Sequence, residues 1–200
     1  MKTLFAPLRY FWLINAEKSA IDFWPTLGIV AILVAAYMLL PQAPFFGADG
    51  FLDGILTIVS ALTGFFVAAL IAAATFQHVD LDTPITKGAV YVRRKNSEGA
   101  WENYALSRRE LACTIFGYLS FLGLFLSLAI AMGMPLSRSF AGYLGPEIRY
   151  WARAIGILVF AVPVAHLFVA SALGIYYLSD RLHRNEPKVT GLKDGVKRAA

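Results

Sequence analysis

Four long apolar blocks alternate with stretches that hold nearly all the charge: residues 23–40, 52–76, 111–136 and 151–178. Each reaches the ~18 residues needed to cross ~30 Å of hydrocarbon. With no water at that depth the backbone must satisfy itself, which leaves helices or a closed barrel. Barrel strands run about 10 residues with alternating polarity. These blocks are longer and apolar on every face, so the expectation is an all-α polytopic membrane protein with four transmembrane helices. Trp24, Tyr37, Trp151, Tyr176 and Tyr177 fall near the block ends, as an interfacial aromatic belt requires.

The flanking segments carry weaker patterns. In residues 1–22, Leu4, Phe5, Leu8, Phe11 and Trp12 recur on one helical face, with Lys2 and Arg9 interspersed and Pro7 early. The pattern predicts an amphipathic helix in the membrane interface, a frayed leader being the alternative. The connection 77–110 holds Val90, Tyr91 and Val92, a turn around 96–99, then Trp101 and Tyr104, which predicts a short hairpin. Ser107 and Glu110 have the spacing of a capping box that starts the third helix. Residues 179–200 form a polar, basic tail.

Charge sets the expected orientation. The chain has 200 residues, 58% hydrophobic and 16% charged, with a net charge of +5. Fifteen Lys and Arg flank the blocks on the side shared by both termini and the 77–110 loop, against three on the other side. That bias predicts a multi-pass membrane protein with both termini cytoplasmic. Because the basic residues border apolar blocks, anionic headgroups account for them better than nucleic acid does. Cys113 is the single cysteine, which excludes an internal disulfide and leaves it as a packing residue.

Candidate chemistry is sparse. Ser60, Gly64, Ala68 and Ala72 recur every four residues in the second block. Gly117 and Gly123 in the third and Ala170 and Gly174 in the fourth add further small positions. In lipid, such stripes let backbones approach, either within one bundle or between protomers. His166, three residues after Pro163, is an ionisable group deep in a span. Two roles are open to it: hydrogen bonding to Thr57, Ser60, Thr63, Ser120 or Ser127, or gating and proton sensing. His78, Asp80 and Asp82 alternate after the second block and share one face of an extended chain, a weak divalent-cation candidate. Arg93, Arg94, Lys95, Trp101, Arg108 and Arg109 are candidate contacts for a partner or for headgroups. No nucleophile elbow, zinc-protease motif or phosphate loop occurs.

The run ALTGFFVAALIAAATF, followed by LSRRELACTIFGYLSFLGLFLSL, resembles small four-span bacterial inner-membrane proteins of uncharacterised function. Similar proteins serve as membrane subunits of antiphage systems such as Kiwa, beside a cytoplasmic partner. The resemblance covers about residues 51–128 and transfers no site residues. The small-residue stripes, the basic loop with Trp101 and Tyr104 and the absence of catalytic groupings point to a non-enzymatic, homo-oligomeric membrane subunit without cofactors, acting with a cytoplasmic protein that docks on the central loop, to sense or perturb the membrane. A small channel or pore, and an enzyme acting on lipid through Glu147, Arg149 and Arg153, are the competing readings.

Overall fold

The computed structural model describes residues 6–14, 16–40, 44–47, 49–76, 81–83, 90–95 and 99–177. A 3-10 helix at Ala6–Trp12 leads into strand β1 (Leu13–Ile14). Helix α1 (Ala16–Leu39) and helix α2 (Phe51–Thr75) follow. Strands β2 (Tyr91–Lys95) and β3 (Trp101–Ala105) then precede α3 (Arg108–Ala141) and α4 (Pro146–Tyr176). All four α-helices are long and apolar enough to cross a membrane.

Packing runs in the order α1–α4–α3–α2, so the two central helices supply most of the core. Ile115, Phe116, Leu119, Leu126 and Ile130 of α3 bury against Ile157, Val164 and Leu167 of α4 and against Val59 and Phe66 of α2. α1 meets α4 through Val30, which packs on Ala161 and Ala165. Those two alanines lie one turn apart and leave room for a closely approaching helix. At the end where α1 gives way to α2, Tyr37, Phe45 and Phe51 stack into an aromatic cap with Phe46 and Phe160 beside them.

The opposite end carries a three-stranded sheet in the order β1–β2–β3. Leu13 pairs with Val92, and Val92 with Tyr104; Ile14 pairs with Tyr91, and Tyr91 with Ala105. Leu13 and Val92 are buried, so their face looks toward the bundle together with Leu106 and Leu111. Ser107 caps α3 in both directions: its hydroxyl accepts from the Glu110 amide, and the Glu110 carboxylate accepts from the Ser107 amide.

The N-terminal segment departs from the expected interfacial α-helix. It is a 3-10 turn ending in a strand, and Tyr10 is fully buried. Its side-chain anchors, described next, override the local helical periodicity, as tertiary contacts commonly do. α1 also starts at Ala16 and its apolar window at Ser19, ahead of residue 23, which brings Asp22 inside the helix.

Candidate functional site

The polar groups inside the bundle meet where the 3-10 helix docks. His166 lies ten residues before the end of α4, and Tyr118 ten residues after the start of α3, each roughly 15 Å in at about 1.5 Å per residue. The Tyr118 hydroxyl stands 2.8 Å from His166 Nδ1, a hydrogen bond whose polarity follows the imidazole tautomer. Tyr10 stacks on Tyr118, with ring centroids 4.5 Å apart and planes 8° from parallel. The Tyr10 hydroxyl in turn donates to the Asp22 carboxylate, at 2.9 Å from Oδ1 and 3.0 Å from Oδ2. Phe11 closes the group, its ring 5.2 Å from that of Tyr118 and 5.4 Å from that of His166.

Four elements therefore converge on one polar cluster: the 3-10 helix, α1, α3 and α4. Burial raises the Tyr10 phenol well above its ordinary pKa, and the neighbouring Asp22 charge raises it further. The phenol stays protonated and serves as a donor. Its anchor ties the segment before α1 to Asp22 of α1, while its ring ties that segment to α3.

The expected partners of His166 prove to be engaged elsewhere or turned away. Thr57, Thr63 and Ser120 hydrogen-bond carbonyls of their own helices, those of Asp53, Val59 and Phe116. Hydroxyls in a helix reach the i−4 carbonyl without help from a neighbour, and that local bond wins here. Ser60 is exposed on α2, and the buried Ser127 hydroxyl has no hydrogen-bond partner. Tyr118 takes the role instead. A phenol projects farther than a Ser or Thr hydroxyl and spans the gap between α3 and α4. Pro163 lies one turn before His166 on α4 and is partly buried.

The small residues divide into two sets. A Cβ at Gly123 would collide with Thr63 Oγ1, and one at Gly174 would come within 3.2 Å of Ile115 Cγ2. Ala170 is fully buried. These positions hold helices together inside the chain. Ser60, Gly64, Ala68 and Ala72 face outward along α2, and a Cβ at Gly64 or Gly117 would meet nothing within 4 Å.

Asp82 forms an ion pair with Arg109, whose Nε lies 2.7 Å from Oδ1 and Nη2 3.2 Å from Oδ2. The hydrogen bond holds the Asp82 carboxyl below its ordinary pKa. Arg109 Nη1 also donates to the Ala73 and Ala74 carbonyls at the end of α2, at 3.4 Å and 3.3 Å. That geometry gives Arg109 a bracing role between α2 and α3. His78 and Asp80 lie outside the described residues. Among the described residues no group of three His, Cys, Asp or Glu could hold a metal ion.

The register of the sheet separates two residues that the sequence grouped together. Tyr104 pairs with the buried Val92, whereas Trp101 pairs with Lys95 on the other face. Three residues apart on a strand means opposite faces. The outward face presents Ile14, Tyr91, Arg93 and Trp101, all exposed. The side chains of Arg94 and Lys95 lie outside the described residues, and Arg108 sits partly buried in the first turn of α3.

Sequence reading missed Tyr10, Asp22 and Tyr118. Asp22 gave the one usable signal, a carboxylate two residues before the Trp24–Pro25 entry to an apolar block. Protein-family models, curated proteins and solved structures offer no match to this chain.

Proposed function

We propose that the chain is a non-enzymatic, oligomeric subunit of the bacterial inner membrane whose partner is a cytoplasmic protein docking on the outward face of the sheet. The observation that carries this reading is the exposed set Ile14, Tyr91 and Trp101 beside Arg93, on an element outside the apolar helices. Clustered exposed aromatics next to an arginine have the composition of a protein-binding patch. The fifteen-to-three distribution of basic residues supports a cytoplasmic orientation for that face.

The construction of the sheet suits a subunit that passes a signal. β1 is one edge of the docking face, and Tyr10, three residues earlier, is anchored between the helices. A partner gripping the sheet thus pulls on a segment embedded in the bundle, and a rearrangement of the helices moves the docking face. The outward stripe on α2 supplies a surface for a second copy, since lipid gains nothing from small residues whereas a helix does. By size and span count the reading extends to small four-span antiphage subunits such as that of Kiwa, which work beside a cytoplasmic protein.

Co-expression with the soluble protein encoded beside the gene tests the reading. A complex that survives purification, and that Trp101→Ala with Tyr91→Ala dissolves without lowering the melting temperature, supports it. A chain that stays monomeric and binds no soluble neighbour rejects it. Depolarisation of cells on expression of the chain alone would favour a pore.

A further inference from the structure

The four helices finish together at the sheet end of the bundle and apart at the other. Val30 of α1 packs on Ala161 and Ala165 of α4, so in that antiparallel register Leu39 lies level with about residue 154. Arg153 Nη2 reaches the Tyr37 carbonyl at 3.4 Å, which agrees with that level. Thr63 of α2 meets Gly123 of α3, so Phe51 lies level with about residue 135. Yet α3 runs on to Ala141, and α4 starts at Pro146. At about 1.5 Å per residue, the α3–α4 hairpin stands roughly 10 Å beyond the ends of α1 and α2. Toward the sheet the same registers set Thr75 level with about residue 111 and Ala16 with about residue 177. The overhang is one-sided.

Its surface is apolar. Phe125, Leu128, Met132, Leu136 and Phe140 follow one face of α3, and all are exposed. Ile148, Trp151, Ile155 and Val159 do the same on α4. Each stripe runs without a break from the middle of a span, where it faces lipid, onto the hairpin. Tyr143 at the tip is 88% exposed. Residues 136–153 hold three arginines and one acid, Glu147. Arg149 is exposed and gives one side-chain hydrogen bond, to the Leu144 carbonyl at 3.3 Å. Aromatic rings and snorkelling arginines beside an apolar stripe are the chemistry of a headgroup layer.

We propose that the projecting α3–α4 hairpin binds phospholipid and raises the leaflet around itself above the level where α1 and α2 end. Acyl chains follow the two stripes, and Arg149 holds the phosphate of an anionic headgroup. A hydrophobic stretch longer than the local hydrocarbon thickens the bilayer at modest cost. Tilting the bundle shortens all four helices alike and leaves the difference in place. α1 and α2, with 24 and 25 residues, already cover the ~30 Å core, so the step in thickness falls between two sides of one molecule. Continuity of both stripes with the lipid-facing spans, and the excess of arginine, favour lipid over a second protein as the cover. The inference goes beyond the proposed function and concerns the opposite end of the bundle.

Bromolipid quenching tests it, on the full chain in vesicles with Trp151 as the one tryptophan (Trp12→Phe, Trp24→Phe and Trp101→Phe). Trp151 should be quenched more by phosphatidylcholine brominated high on its acyl chains than by aqueous iodide. Brominated phosphatidylglycerol should associate about fivefold more tightly at this site than brominated phosphatidylcholine, the weight of one basic residue at an anionic surface. Arg149→Gln should abolish that preference and Arg149→Lys should keep it. Quenching by iodide alone puts the hairpin in water, and shielding from both quenchers puts a protein over it. Either result overturns the proposal, as does an anionic preference unchanged by Arg149→Gln.

Discussion

The Tyr118 hydroxyl lies 2.8 Å from His166 Nδ1, linking α3 to α4 by a polar bond within two apolar helices. That bond answers the cost of placing an imidazole in a span, because a partly buried nitrogen without a partner pays its desolvation in full. Tyr118→Phe should therefore lower stability by about 1–2 kcal/mol. The double variant with His166→Leu should cost less than the sum of the single variants, since neither polar partner is then stranded. Thermal unfolding in one detergent, across the four proteins of the cycle, checks the coupling.

Gly123 sets a close contact between α2 and α3. A methyl there would run into Thr63 Oγ1, with Thr63 Cβ only 3.3 Å away, and Thr63 is held by its bond to the Val59 carbonyl. A β-branched neighbour cannot swing aside, so α2 and α3 must part. Gly123→Ala should destabilise by about 1–3 kcal/mol, as overpacked cores do. Adding Thr63→Ala should recover most of that loss. Gly117→Ala, facing open space, should be neutral or slightly stabilising in the same melting assay.

The outward stripe separates folding from assembly. Gly64 is exposed and a Cβ there meets nothing, so Gly64→Leu leaves the single chain intact and improves helix propensity by up to about 1 kcal/mol. If α2 packs against α2 of another copy, a leucine at the closest point holds the two backbones apart. Crosslinking in native membranes should then show monomer where the wild type shows higher species. Identical crosslinking patterns would remove the stripe from the assembly.

How far the sequence foretold these contacts depends on their range. The four spans are legible because every residue of a block reports the same environment. The Ser107–Glu110 cap is legible because both partners lie within one turn. The polar cluster is not. Tyr10 and Asp22 are twelve residues apart and Tyr118 and His166 forty-eight, and an aromatic in an apolar block looks the same whether it faces lipid or a histidine. The stripe on α2 shows the same limit. Its period announces a face for close packing, while the choice between a neighbour in the chain and one outside it rests on which way α2 is rolled by Leu52, Ile55, Val59 and Phe66, the residues it buries.

Arg109 joins the end of α2 to the start of α3 through Asp82 and two carbonyls. Arg109→Gln should loosen residues 81–83 and fray the last turn of α2, both visible as faster amide exchange. Asp82 is a carboxylate whose pKa is lowered by its partner. Its tether is accordingly complete above the ordinary carboxylate value of about 3.9 and lost as the pH falls through the depressed one. Asp82→Asn should remove that acid sensitivity. As the pair is exposed, the effect belongs to local order and leaves the melting temperature nearly unchanged.

Tyr10 gives the opposite sign. Its phenol is raised by burial and then by the Asp22 charge, so the docked segment holds the protonated form and a released segment ionises more readily. Docking is therefore unaffected below about pH 10, the ordinary phenol value, and weakens as the pH climbs beyond it. Amide protection of residues 8–14 should fall in alkali, and the sheet should loosen with it because β1 is part of the same segment. Tyr10→Phe keeps the stacked ring and loses the ionisable oxygen. It should weaken docking at neutral pH by one hydrogen bond to a charged acceptor, about 1.5–3 kcal/mol, and should abolish the alkaline release. A variant that still sheds the segment at high pH would move the responsible group away from Tyr10, with Tyr118 the next phenol in the stack.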